Sequence, residues 1–374
     1  MYVHVIDPSS YTPPYDHALC RALASAGARV ELVCSRFAYG RLSPSCEYDR
    51  NEFFYRHAIG SAGGRLRSAS KLIEHVPDML RYRRHAAAAD VAHFQWLPVQ
   101  ALDRWLLPTG RRPALVLTSH DILPREPRAG QLHAQRKLYD RFDAIVVHSR
   151  RGRERLVGEL GVPAERVRVI HHGVFEHLAE RPPGRPPPPA PHETDKAVVL
   201  MFGLLRGYKG LDVLLDAWRG ADGGGAIDGA ELWIAGMPRM DLQELRAAAP
   251  ANVRFDARFV DHGELAGYFE RADLVVLPYL QADQSGVLFT ALAFGKPLLL
   301  SDVGGFPELA ADTGAARVVP AGDAPALARA LRELLGDRAA LTEMCVKARA
   351  AAEGDYSWRA AAASHVELYR QLLS

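Results

Sequence analysis

Cysteine is scarce. The 374 residues hold four, Cys20, Cys34, Cys46 and Cys345, with no CxxC spacing and no Cys/His cluster. A zinc ribbon and a disulfide framework are therefore excluded. Lysine is scarce too, at six, so arginine supplies nearly all of the 46 basic residues. No apolar run approaches the roughly 18 residues that would cross a bilayer. The first residues, MYVHVIDPSSYTPPY, have neither a basic start nor a long apolar core. They read as a strand and a proline-stiffened loop rather than an export signal, which makes a reducing cytoplasm the expected location.

What remains is an ordinary globular composition, 48% hydrophobic and 24% charged, in a chain long enough for two domains with sizeable cores. The net charge of +2 hides an asymmetry. Residues 1–180 carry 26 basic and 19 acidic side chains, a balance of +7, and the remainder stands at −5. A basic half suits an anionic partner, and scattered surface arginines give the same count.

Short β-branched runs alternate with 3.6-periodic segments, the pattern of parallel α/β architecture. In the first half the expected strands are 2–7, 29–35, 90–95, 114–120, 144–149 and 167–173. RPPGRPPPPAPHETD (181–195) is dense in proline and fits neither a helix nor a central strand. It reads as a stiff linker. The second half restarts with expected strands at 196–203, 231–236, 253–259, 273–279, 297–302 and 316–320. DYSWRAAAASHVELYRQLL closes the chain as an amphipathic helix. The expected fold is two Rossmann-like domains facing a central cleft: 1–180, a linker at 181–194, 195–352, and a closing helix at 353–374. In open parallel sheets ligands lie beyond the carboxyl ends of the strands, so the loops there are the ones to read.

MFGLLRGYKGLD follows the first strand of the second half. Gly203, Gly207 and Gly210 permit a tight turn, and Arg206 and Lys209 place two cations beside the next helix. A helix N-terminus with Arg and Lys suits a phosphate. The turn is neither GxGxxG nor GxxxxGK[ST], so neither nucleotide fingerprint applies. Further on, DLVVLPYLQADQSG leads into another helix, where Ser285, Gly286 and Val287 offer free backbone N–H groups. Two helix starts converging on one anion suit a diphosphate better than a monophosphate.

MFGLLRGYKGLDVLLDAW, LVVLPYLQADQSGVLFTALAFGKP and SDVGGFPEL together resemble retaining glycosyltransferases of family 4, which have the GT-B fold. HFQW (93–96), SHD (119–121), VVHS (146–149) and VIHHGV (169–174) are similar to the same family, so the resemblance runs along the whole chain. It implies a nucleoside diphosphate sugar as donor substrate, and no cofactor. It also implies no metal, consistent with the lack of any Asp-x-Asp pair. Arg206 and Lys209 would hold the diphosphate and stabilise it as leaving group. Gly203 and the amides at Ser285 to Val287 would complete the cradle, and Phe259 and Val260 would lie against the base. His120 would face the transferred sugar.

Many family members carry two glutamates eight positions apart. The matching positions here are Ala282 and Thr290, so both glutamates are missing. The loop instead resembles a subgroup with Gln-Ser-Gly, here Gln284-Ser285-Gly286. Asp283 is then expected to serve the sugar hydroxyls and Thr290 the ribose. An arginine that often follows the first glycine is Leu204 here, with Arg206 to cover for it.

On the acceptor side the candidates are Tyr11 and Tyr15 of YTPPY, expected at the cleft mouth after the first strand, and His93. Trp96, His171 and His172 read as structural, and Glu308 as a carboxylate favoured by a helix dipole. Segment 63–89 is basic and partly amphipathic. A solvated helix and peripheral contact with an anionic inner membrane face both fit it. The acceptor is left as a glycan, a lipid-linked carrier or a natural-product scaffold. Three rival readings stay open: a non-catalytic relative that binds a nucleotide or a partner protein, a sugar phosphorylase, and a nucleotide-sugar epimerase.

Overall fold

A computed structural model describes residues 1–37, 46–60, 64–122, 130–179 and 190–374. Most of the expected proline linker, 181–189, lies outside the described residues. The chain divides into two compact units, Met1–His172 with Trp358–Ser374, and Gly173–Ser357. The boundary thus falls before the prolines rather than at them. The physical reason is that residues 173–179 are tied to the second unit: the Val174 amide donates to the Tyr356 carbonyl at 2.8 Å.

The first unit is built on seven parallel strands: β1 (Tyr2–Asp7), β2 (Arg29–Ser35), β3 (Asp49–Phe54), β4 (Val91–Phe94), β5 (Ala114–Thr118), β6 (Ala144–Val147) and β7 (Val167–Val169). Their spatial order is β3-β2-β1-β4-β5-β6-β7. Strand order therefore reverses between β1 and β4, which makes that pair the switch point. Val3, Val5, Ile6, Val91 and Phe94 have no exposed surface, as expected for strands covered on both faces by helices. The helix Trp358–Leu373 belongs to this unit. Its Tyr369 is fully buried, and the hydroxyl lies 2.6 Å from Nδ1 of His93 in β4.

The second unit repeats the arrangement with β8 (Ala197–Phe202), β9 (Ala230–Ala235), β10 (Val253–Asp256), β11 (Leu274–Leu277), β12 (Leu298–Ser301) and β13 (Ala316–Val319), in the order β10-β9-β8-β11-β12-β13. All pairs are parallel. The switch point lies between β8 and β11. Trp218 and Trp233 are completely buried on the two sides of this sheet's core. At roughly 200 Å² per ring, each is worth about 5 kcal/mol of apolar burial.

The expected strands are all present, each within a few residues of its expected ends. The exception is β3, which periodicity did not reveal. DRNEFF is an edge strand, partly exposed except for Phe53 and Phe54, so its pattern lacks the apolar run that marks the others.

Candidate active site

The loops that leave β8 and β11 come together at the switch point of the second unit. Gly203 ends β8 with φ +110, in the left-handed half of backbone space that favours glycine. A Cβ placed there would stand 3.0 Å from Cγ2 of Val287 and 3.2 Å from Nζ of Lys209. Gly203, Lys209 and the start of the helix Gly286–Ala293 are thus packed against one another. Gly210 (φ +66) starts the helix Leu211–Trp218, and a Cβ there would run into the carbonyl oxygen of Pro278, just beyond β11. The two loops cannot separate without losing this fit.

Lys209 is buried, and its ammonium donates to the Tyr279 hydroxyl at 2.8 Å and sits 4.6 Å from that ring's centre. One N–H is used there and two are left for a ligand. Tyr279 in turn lies 3.2 Å from Oγ of buried Ser285. Tyr279 was not singled out from the sequence. Its signal was its place, an aromatic directly after a buried strand. Arg206 is exposed, and its guanidinium has no partner among the described residues. Ser285 does not cap its helix with its side chain, so amide donors at that N-terminus are free for an anion. Gly286 is exposed while Leu288 and Phe289 behind it are buried, which leaves the backbone accessible on one side.

Asp283 and Gln284 are half-buried in the loop before this helix. The loop is clamped from behind, because the Gly305 amide donates to the Asp283 carbonyl at 3.3 Å. Thr290 is buried and its hydroxyl donates to the Gly286 carbonyl at 2.9 Å, so its oxygen retains acceptor capacity only. Phe259 is 54% exposed, with Val260 buried beneath. Both sit on a loop held by a two-pronged pair, Arg258 to Glu264 at 2.8 Å for each bond, and by Asp261 capping the helix His262–Arg271.

In the first unit the strand ends carry a cluster of aromatic and histidine rings. His120, beyond β5, is half-buried and stacks on Trp96 with ring centres 5.0 Å apart. Its Nε2 lies 3.1 Å from Oε1 of Gln95. With Nε2–H as donor, the lone pair is on Nδ1. Burial, then the neighbouring His148, His172 and His93, holds His120 well below the usual histidine pKa, so the ring is neutral near pH 7. Tyr11 is 66% exposed and its ring lies 4.6 Å from Trp96. The loop carrying Tyr11 is fixed by Asp7, whose carboxylate accepts from the amides of Ser9, Tyr11 and Thr12. Asp7 is fully buried beside Asp16, whose own pKa is pushed well above the carboxylate range by burial and by Asp7.

Two expectations need correction. His93 has no exposed surface, and both its ring nitrogens are engaged, one by Tyr369 and one by Thr118 at 2.7 Å. It ties β4 to the closing helix and to β5 and has nothing to offer an acceptor. Tyr15 is likewise buried, edge-on to His120 at 4.6 Å and to His172 at 4.8 Å. It supports His120 from below rather than lining a surface. The sequence places both residues near strand ends but does not say which way they face.

Two family models match the chain. The one described as Glycosyltransferase Family 4 matches residues 15–176, and the one described as Glycosyl transferases group 1 matches 196–337. The chain is 35% identical over 165 residues to the phosphatidyl-myo-inositol mannosyltransferase of Mycobacterium leprae, covering 43% of this chain and 42% of that one. It is 27% identical over 273 residues to a D-inositol 3-phosphate glycosyltransferase of Kineococcus radiotolerans, covering 65% and 60%. The matched stretches thus span less than two thirds of either relative. Among solved structures, sucrose-phosphate synthase of Thermosynechococcus elongatus aligns over 100% of this chain and 99% of its own, with a TM-score of 0.74 at 20% identity. HepE of Anabaena in complex with UDP-glucose aligns over 99% and 100%, with a TM-score of 0.71 at 16% identity. At these identities the likeness is one of fold, and the fold is GT-B.

The buried histidines set a pH dependence. Burial holds His148 and His365 each down to about 4, and His93 and His120 well below 6.5. Unfolded, each takes a proton near pH 6.5. The unfolded chain therefore binds more protons as pH falls below that value, and stability drops. For His148 alone the full loss is about 3 kcal/mol. Asp16, raised by burial and by Asp7, shifts stability the other way as pH falls, so the difference between two proteins is the readout. In urea melts between pH 8 and pH 5, His148→Asn, which keeps a donor for the Ile170 carbonyl, should lose less stability than the parent protein. Equal losses in the two contradict the assignment.

Proposed function

From a chain whose two units match the domain models of family 4 and group 1 glycosyltransferases, we propose an enzyme that moves a sugar from a nucleoside diphosphate sugar to an acceptor with retention of anomeric configuration. The observation that carries this reading is the packing of Gly203, Lys209 and Val287 at the switch point of the second unit. It sets a buried ammonium against a helix N-terminus, with the exposed Arg206 in the same loop as Lys209, equipment that suits a diphosphate.

In this reading Lys209 and Arg206 neutralise the leaving diphosphate, and the amides of Ser285 to Val287 hold its oxygens. Phe259 covers the base. Asp283 and Gln284, in the Gln-Ser-Gly type of loop, bind sugar hydroxyls, and Thr290 accepts from the ribose. The charge is handled by these groups, with no metal and no cofactor in the transfer step. The acceptor hydroxyl attacks from the face that the diphosphate leaves, and a departing phosphate oxygen takes its proton. His120, neutral with its lone pair on Nδ1, accepts a hydrogen bond from the sugar or acceptor. Tyr11 and Trp96 offer an aromatic surface to the acceptor. The names of the two curated relatives both include inositol, and the first 180 residues carry +7. Both favour an anionic acceptor, lipid-linked or soluble.

Calorimetry in chelator with UDP, GDP, ADP and dTDP tests the donor site. One nucleotide should bind, and Arg206→Ala and Lys209→Ala should each weaken it by at least about tenfold, the worth of one charged hydrogen bond. Absence of binding by all four sinks the transferase reading in favour of a non-catalytic relative.

We also place the protein at the inner membrane face in the cytoplasm, through the helix Arg65–His85. Leu72, Ile73, Val76 and Leu80 are exposed on one side of it, with basic residues at both ends. No helix among the described residues is long and apolar enough to cross a membrane. The protein should sediment with phosphatidylglycerol vesicles and Ile73→Asp should release it. Parent protein that stays in the supernatant contradicts this placement.

A further inference from the structure

Away from the strand ends, the first unit holds a cluster that the transfer reaction does not use. His4 in β1 and Glu31 in β2 are register partners on neighbouring parallel strands, so their side chains share one face of the sheet. His85, the last residue of the helix Arg65–His85, is brought over the same point. One ligand atom from each of the three lies within 4.8 Å of the others. His4 is three residues back along β1 from Asp7, about 10 Å, on the amino side of the loops that carry His120 and Tyr11.

The detailed contacts point to a missing partner. Nε2 of His4 is fully buried and makes no hydrogen bond, although it lies 3.4 Å from Oε2 of Glu31. A buried ring nitrogen aimed at a carboxylate without a bond is costly as it stands. Glu31 is held in place from both sides. Tyr2 donates its hydroxyl to Oε2, and Asn51 donates to Oε1 at 2.8 Å. Nε2 of His85 is 2.8 Å from Oε1. The two imidazoles lie nearly parallel with centres 4.8 Å apart, and the Tyr82 hydroxyl is 3.4 Å from Nδ1 of His4, the far nitrogen, where an outer partner would fix the tautomer. Around a tetrahedral ion with bonds of about 2.0–2.1 Å, ligand atoms stand about 3.3 Å apart. The spacings here need only small movements to reach that. His85 is half-buried, which leaves an entry path and a fourth position for water.

We propose that His4, Glu31 and His85 form a binding site for a divalent transition-metal ion. Two imidazoles and one carboxylate suit Zn²⁺ best among common ions. The ion takes up a lone pair of His4 and one of His85 Nε2, whose proton passes to Nδ1 of a neutral ring or to water from a charged one, and fastens the end of the helix Arg65–His85 to β1 and β2. Its role is structural, because the site lies on the other side of Asp7 from the loops proposed to bind substrate. The same helix carries the apolar side proposed to meet a membrane, so the ion would also set that helix in place.

The full-length protein, dialysed against chelator and then freed of it, is titrated with ZnCl₂ by calorimetry and melted with and without the salt. One ion per chain should bind and raise the melting temperature. His85→Ala, at a half-buried position, and Glu31→Gln should each weaken binding by at least about tenfold and abolish the thermal shift. Co²⁺ in place of Zn²⁺ should give the absorption of a tetrahedral nitrogen and oxygen site. A lack of saturable binding, unchanged affinity in His85→Ala, or a thiolate charge-transfer band that moves the ion to a cysteine would each overturn the proposal.

Discussion

The second unit depends on two strand-end loops being allowed to touch. β8 and β11 are neighbours in the sheet, but their connections run to opposite sides, so the loops beyond them diverge unless something pulls them together. Here the pull is van der Waals contact at positions without side chains. Gly203 lies under Val287 and Lys209, and Gly210 lies against the Pro278 carbonyl. Any larger residue would wedge the loops apart. The cost is the backbone freedom that glycine loses on folding. The buried apolar strands below, with Val199, Leu200, Val275 and Val276 completely covered, offset it. The result is an opening in which buried Lys209 is held by Tyr279, with exposed Arg206 three residues earlier in the same loop. Two cations in one loop suit a group that gains charge as it leaves.

The first unit solves a different problem with the same topology. Its strand ends carry rings rather than cations, packed edge to face from Tyr15 through His120 to Trp96. The strain lies in titratable groups that must stay neutral. Burial and Asp7 push Asp16 toward its protonated form, and His93, His120, His148 and His365 are pushed toward their neutral forms. The loop that carries Tyr11 therefore rests on a carboxyl pair whose protonation state is fixed by burial. A surface made this way is polar in outline and uncharged at the rings themselves, which suits a hydroxyl group.

Much of this was legible in the sequence because parallel strands buried on both faces read as continuous apolar runs. YVHVID and RVELVCS became strands with those very ends, and the start of the helix after Asp283-Gln284-Ser285 was placed within a residue. Legibility failed where burial, rather than pattern, decides. DRNEFF lacks an apolar run because it is an edge. The proline stretch read as a linker, while the hydrogen bond from Val174 to Tyr356 ties the chain ahead of it to the second unit. His93, within β4, and Tyr15, in the first turn of the helix Pro13–Ser25, both face inward, and neither the strand pattern nor the helix pattern separates inward functional residues from inward structural ones. The missing glutamates at Ala282 and Thr290 were visible only against the family pattern, and the part played by Tyr279 only once Lys209 had been placed beside it.

The most direct test of the central claim, that the touching loops of the second unit hold a diphosphate, is amide hydrogen exchange with and without a saturating nucleoside diphosphate. The account predicts slowed exchange at residues 203–210 and 285–287, with the strands beneath unchanged. Protection that appears only outside these two loops, or none at all under conditions of proven saturation, would contradict it.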